Sequence, residues 1–168
     1  MAAWAWLSRG LRTPQVLPVH ALEPGREAWL EGVIDPLELL TDPISGQPAV
    51  AVDYRAEVPS ALGQIYPGLM GSSASTVHHL IQATDFLLRT PDGSVRVLPD
   101  PETTEGDTAA LHRRLLELHG VELRARAHLL RPLQAVRLQV DVLDVSEHHT
   151  ERSVPWRATA QLRKLVTI

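Results

Sequence analysis

The chain contains no cysteine. Disulfides, thiolate zinc sites, iron–sulfur clusters and a cysteine nucleophile are thereby excluded together, and a metal would have to be held by histidine and carboxylate. Aromatic residues are scarce, at 4% of 168 positions, so bases of a single-stranded nucleic acid would find few stacking platforms. Lysine is almost missing as well: Lys164 stands alone against fifteen arginines, a usage that points to a GC-rich bacterial genome. There is no positive excess either. A net charge of −4 and a pI near 6.0 argue against a protein whose main partner is a polyanion. The apolar run that opens the chain stops at Leu7, far short of the roughly 20 residues a membrane-spanning helix needs, and no cleavable signal pattern follows it. The expectation is a soluble, cytoplasmic protein. No Gly-x-Gly-x-x-Gly or Walker loop occurs, so nucleotide binding has no support and no cofactor is expected.

What the chain does have is enough apolar material, 44% of residues, for one domain with a real core. We divide it into an N-terminal extension, 1–25, and a β-domain, 26–168. The domain is organised around residues 31–58. Between Ala49 and Val58, Val50, Val52, Tyr54, Ala56 and Val58 alternate with Ala49, Ala51, Asp53, Arg55 and Glu57, the period of a half-buried strand. Ahead of that strand, Asp42-Pro43 and Ser45-Gly46-Gln47-Pro48 form a structural turn, because proline fixes φ and lacks a donor whereas Gly46 admits positive φ.

Glu31-Gly32-Val33, the Leu40-Thr41-Asp42-Pro43-Ile44-Ser45-Gly46-Gln47-Pro48 turn and Tyr54-Arg55-Ala56-Glu57-Val58 together resemble the GIDE domain, the "beside a membrane" module of mitochondrial ubiquitin ligases and of many bacterial proteins. Asp85-Phe86-Leu87-Leu88 followed by Gly93-Ser94-Val95-Arg96-Val97 is similar to that family's later hairpin. Gln47 stands where the family usually has arginine and Ala49 where it has cysteine, and the RING finger and membrane spans of the ligases are missing. The resemblance implies a compact, OB-like β-domain of the stand-alone bacterial kind and carries no ligase activity with it.

The rest of the chain fits a mainly β protein: an OB-like antiparallel barrel with one inserted helix, about 107–119, and one long loop, about 59–79. A first strand covers Ala28 to Ile34. Leu80 to Leu88 and Ser94 to Leu98 flank Thr90-Pro91-Asp92-Gly93 and read as a hairpin. Asp107 caps the helix, Leu111, Leu115 and Leu118 line its inner face, and Gly120 stops it. Leu123, Ala125, Ala127 and Leu129 point inward from the next strand, with Arg124, Arg126 and His128 outward. Val136, Leu138, Val140 and Val142 mark another strand, and a last one spans Trp156 to Val166.

No catalytic constellation emerges. Ser45 is a turn serine outside any Gly-x-Ser-x-Gly elbow. His78-His79 and His148-His149 each offer at most one ligand, because neighbours on an extended chain point to opposite faces, so no metal site is expected. The charge is polarised: Arg113, Arg114, Arg124, Arg126, Arg131 and Arg137 fall in a stretch with few acids. On an OB-like barrel such a face suits an acidic protein partner, with single-stranded nucleic acid or anionic lipid as alternatives. Two apolar elements add to this. Ile65, Tyr66, Leu69 and Met70 tip the long loop, a candidate contact for a partner or a second copy, and Trp4 and Trp6 offer a peripheral membrane contact or pack back on the domain. The resulting expectation is a non-catalytic protein-binding or scaffold domain in a bacterial complex.

Overall fold

The computed structural model describes residues 15–59, 75–99, 106–146 and 156–168. Contacts divide the chain into two compact units, one of Met1–Leu39, Thr84–Thr103 and Arg131–Ile168, the other of Leu40–Ala83 and Thr104–Leu130. Their strands are β1 (Glu27–Pro36), β2 (Leu40–Thr41), β3 (Pro48–Ala49), β4 (Ala51–Pro59), β5 (Ser75–Ala83), β6 (Phe86–Thr90), β7 (Gly93–Leu98), β8 (Arg124–Leu130), β9 (Ala135–Val145) and β10 (Ala158–Thr167), with a single α-helix among the described residues, α1 (Thr108–His119). No helix among them is long and apolar enough to cross a membrane.

The first unit is a closed barrel, in the order β1-β6-β7-β10-β9. All its neighbours are antiparallel except β7 and β10, which run parallel and close the structure, giving the OB-like barrel that the sequence leads one to expect. Alternation does the filling: Ala28, Leu30 and Ile34 of β1, Val95 and Val97 of β7, and Val136, Leu138, Val140 and Val142 of β9 are all buried. In β10 the buried set is Ala158, Ala160, Leu162 and Leu165, and the step of three at the end coincides with a register shift between Leu162 and Lys164. A bulge there turns the strand by one position.

β1 is the seam. Its first part, Glu27 to Val33, pairs with β9, and its last part, Val33 to Pro36, pairs with β6. Gly32 sits at the crossover, where a Cβ would lie 2.2 Å from the Arg89 carbonyl oxygen. Residues 15–25 are tied to the same barrel. Val16 bridges Trp29, the Leu17 amide donates to the Trp29 carbonyl at 2.8 Å, and Val19 and Leu22 are buried around a 3-10 turn at Val19–Ala21. The turn between β8 and β9 holds an irregularity: exposed Leu133 has φ 61°, a left-handed conformation that costs a side-chain-bearing residue energy.

The second unit contains the short β2–β3 ladder and a three-stranded antiparallel sheet in the order β5-β4-β8. The strands with the clearest alternation in the sequence, β4 and β8, thus lie outside the closed barrel, because alternation reports that one face is wetter than the other and not which strand is the neighbour. Two boundaries differ from expectation for a similar reason. Residues 75–79, assigned to the long loop, belong to β5. Leu80 to Leu88, read as one strand, is cut at Thr84 and Asp85 into the end of β5 and the start of β6. The hairpin of β6 and β7 closes as expected, Thr90 facing Gly93.

Val52, Tyr54, Ala56 and Val58 of β4 form the core of this unit with Ala49 and Leu115. Ala49, Ala51 and Asp53, expected to face outward, are also buried, so only Arg55 and Glu57 of that row reach solvent. Asp107 caps α1 as expected, accepting from the amides of Ala109 at 2.8 Å and Ala110 at 3.1 Å. Gly120 ends the helix at φ 50°. The helix face is rotated from the expected one: Thr108 and Leu115 are buried and Leu111 packs on the core, but Leu118 is 66% exposed. With 100° per residue, Leu118 falls to the margin of the stripe that Thr108, Leu111 and Leu115 set.

Candidate protein-binding face

The turn that anchors β2 to β3 is built from one buried carboxylate. Asp42 accepts from the amides of Ile44 at 3.2 Å and Ser45 at 2.9 Å and from the Ser45 hydroxyl. Burial alone would raise its pKa, but these hydrogen bonds, helped by nearby His112, outweigh it and hold the carboxyl below its ordinary value. Gly46 sits at φ 72° and donates its amide to the Asp42 carbonyl at 2.9 Å. Pro43 lies inside the turn, and Pro48 enters the short ladder opposite Thr41. Ser45 therefore serves the turn, bonded to an aspartate and to no histidine. Beneath it, the Tyr54 hydroxyl and His112 Nδ1 lie 2.8 Å apart, their rings edge to face. Sequence reasoning missed this pair, because 58 residues separate its members.

The other face of the sheet is charged. Opposite residues in an antiparallel pair share a face, so the register places three rows side by side: Val77, His79 and Ile81 on β5, Glu57, Arg55 and Asp53 on β4, and Arg124, Arg126 and His128 on β8. Arg124, Arg126 and His128 are exposed, as their outward assignment requires, and Leu123, Ala125, Ala127 and Leu129 turn toward the core. The central row is largely self-satisfied. Asp53 Oδ1 lies 2.7 Å from His79 Nε2 and 3.5 Å from Arg55 Nε, and Glu57 accepts from the Ser75 hydroxyl.

Arg124 and Arg126 differ from five arginines of the barrel unit, though not from Arg131 and Arg157, which also lack a carboxylate among the described residues. There, Arg26 pairs with Glu23, Arg89 with Asp35, Arg96 with Asp85, Arg137 with Glu31 and Arg163 with Asp141. Arg137, counted in the sequence with the basic stretch, thus belongs to a barrel ion pair. Neither Arg124 nor Arg126 has a carboxylate within ion-pair distance among the described residues, although Glu57 stands opposite Arg124 in the register. Arg126 stands opposite Arg55, whose charge is shared with Asp53.

Ile65, Tyr66, Leu69 and Met70, Trp4 and Trp6, and His148 and His149 lie outside the described residues. His78 and His79 point to opposite faces of β5, and no cluster of three or more metal-ligating side chains occurs among the described residues. No family model, curated protein or solved structure matches the chain.

Proposed function

We propose that the chain is a non-catalytic binding module, a component of a bacterial cytoplasmic complex, that engages an acidic protein partner through the outer face of the β5-β4-β8 sheet. The observation that carries this is the pair Arg124 and Arg126, exposed side by side on an edge strand without a carboxylate among the described residues, whereas the arginines on the barrel strands, Arg89, Arg96, Arg137 and Arg163, each hold one. The resemblance of residues 31–58 to the GIDE domain fits the same reading, since it carries no ligase activity with it. Nucleic acid fits less well. The described part of this face carries no aromatic residue, and Tyr54 and Phe86 are buried.

Charge reversal tests the proposal. Arg124→Glu with Arg126→Glu is expected to shift the melting temperature by no more than about 2–4 °C, because exposed charges away from special features each change stability by less than about 0.5 kcal/mol. Binding to an immobilised acidic decapeptide of glutamates is expected to be lost, along with its salt dependence. Binding that survives the reversal refutes the proposed face. Preference for an oligothymidine over the peptide, with affinity falling steeply as salt rises, refutes the protein partner.

A further inference from the structure

We infer that the partner enters as an added strand: an extended acidic segment, alternating acidic and apolar residues, that pairs along the free edge of β8. The inference rests on the acidic-partner reading and adds the geometry by which the partner is held.

Among the described residues β8 pairs only with β4, so its second edge presents backbone groups that no other strand takes up. Its two rows differ in chemistry. On the outer side, Arg124 and Arg126 are two positions apart, about 6.6–6.8 Å along an extended chain, which is the spacing of alternate side chains on any strand laid beside them. On the inner side, Leu123, Ala125, Ala127 and Leu129 touch the core but are only half-buried, because α1 packs over β4 and β5 and leaves the β8 side of the sheet less covered. A strand with glutamate or aspartate at every second position sets carboxylates against the arginines, about 4.5–5.5 Å away between Cβ atoms, and covers the half-buried row with the residues between.

The same geometry disfavours a second copy at this edge. Pairing β8 with β8 about a two-fold axis sets one arginine row against the other, and like charges directly opposite destabilise a sheet. The far edge, β5, does not compete, since Ser75, Val77, His79 and Ile81 supply no unpaired arginine.

The test uses the full chain and three peptide probes: eleven residues alternating glutamate and valine, the same residues in two blocks, and the alternating peptide with every amide N-methylated. The alternating peptide is expected to bind about tenfold or more tightly than the block peptide, N-methylation is expected to abolish binding, and those amides of Arg124–Leu130 that point away from β4 are expected to gain protection from hydrogen exchange. Strand addition is overturned, and the acidic face kept, if all three peptides bind alike, leave those amides unprotected and are lost on Arg124→Glu with Arg126→Glu. Both readings fall if binding of every peptide is indifferent to that double reversal. An oligothymidine that displaces the alternating peptide at equal charge also overturns it, in favour of nucleic acid.

Discussion

Gly32→Ala is the smallest change expected to open the barrel. The added methyl carbon would lie 2.2 Å from the Arg89 carbonyl oxygen, 2.9 Å from its carbon and 3.0 Å from Leu88 Cγ, and two of those atoms are backbone. No rotamer change relieves such an overlap, so β1 and β6 must separate by about 1 Å to restore van der Waals contact. The ladder between them is short, Val33–Arg89 to Pro36–Phe86. A shift of that size breaks its hydrogen bonds, each worth a net ~1 kcal/mol, and adds an overpacking cost of about 1–3 kcal/mol where Ile34 and Leu88 are buried. A total near 3–5 kcal/mol is a large part of the roughly 5–15 kcal/mol that holds a typical domain folded. At about 2–4 °C per kcal/mol, the melting temperature is expected to fall by roughly 6–20 °C, with a matching shift in the urea midpoint. Gly46→Val is the control. Nothing lies within 4 Å of a Cβ there, so only the strain of φ 72° remains, about 1–3 kcal/mol. If the alanine at position 32 costs less than about 1 kcal/mol, or less than the bulkier valine at position 46, the close approach of β1 and β6 is not what demands glycine.

Leu133→Gly is expected to raise stability, since relief of about 1–2 kcal/mol of left-handed strain exceeds the extra chain entropy of glycine, about 0.5–1 kcal/mol; a lower melting temperature would show that the leucine side chain packs. Asp42→Asn is expected to destabilise at neutral pH. Because the folded pKa of Asp42 lies below its ordinary 3.8, its contribution is present above that pH and fades as pH falls through the folded value, so the gap between wild type and variant should narrow in acid; a gap constant from pH 7 to pH 3 refutes this. Replacing residues 60–74 by Asn-Gly is expected to preserve the sheet, because Pro59 and Ser75 are already partners and a two-residue turn closes them. The same change should weaken association if Ile65, Tyr66, Leu69 and Met70 contribute; assembly unchanged in sedimentation shows that they do not.

The OB-like barrel and the helix of the second unit were legible because burial leaves a period in the sequence. Val136 to Val142 shows it without interruption, and Asp107 and Gly120 mark both ends of α1. Position within a strand was equally plain at Arg124 and Arg126. What the period does not encode is partnership. The alternation of β4 looks the same whether its neighbour is a barrel strand or β5, and only the break at Thr84 and Asp85, masked in sequence by the apolar run Phe86-Leu87-Leu88, separates the two sheets. Leu162 to Leu165 was blurred by its bulge. That Arg137 is bound to Glu31 and Arg126 to no described carboxylate depends on residues 106 positions apart in the first case, which no local pattern reports. Gly32 was the one local sign of close strand approach, a glycine inside a strand pattern.

The order of the barrel, β1-β6-β7-β10-β9, has a consequence for synthesis. The segments of the second unit, Leu40–Ala83 and Thr104–Leu130, are both complete before Ala135 leaves the ribosome, so that unit has all its residues while the barrel still lacks two of five strands. During that interval β1, β6 and β7 have a sheet to build but nothing to pair with the outer sides of β1 and β7, and two edges stand open. β9 closes the first and β10, in parallel, the last, across a sequence separation that makes closure slow. A chain that stops after β8 is therefore expected to carry a finished arginine-bearing sheet and an aggregation-prone half-barrel in one molecule.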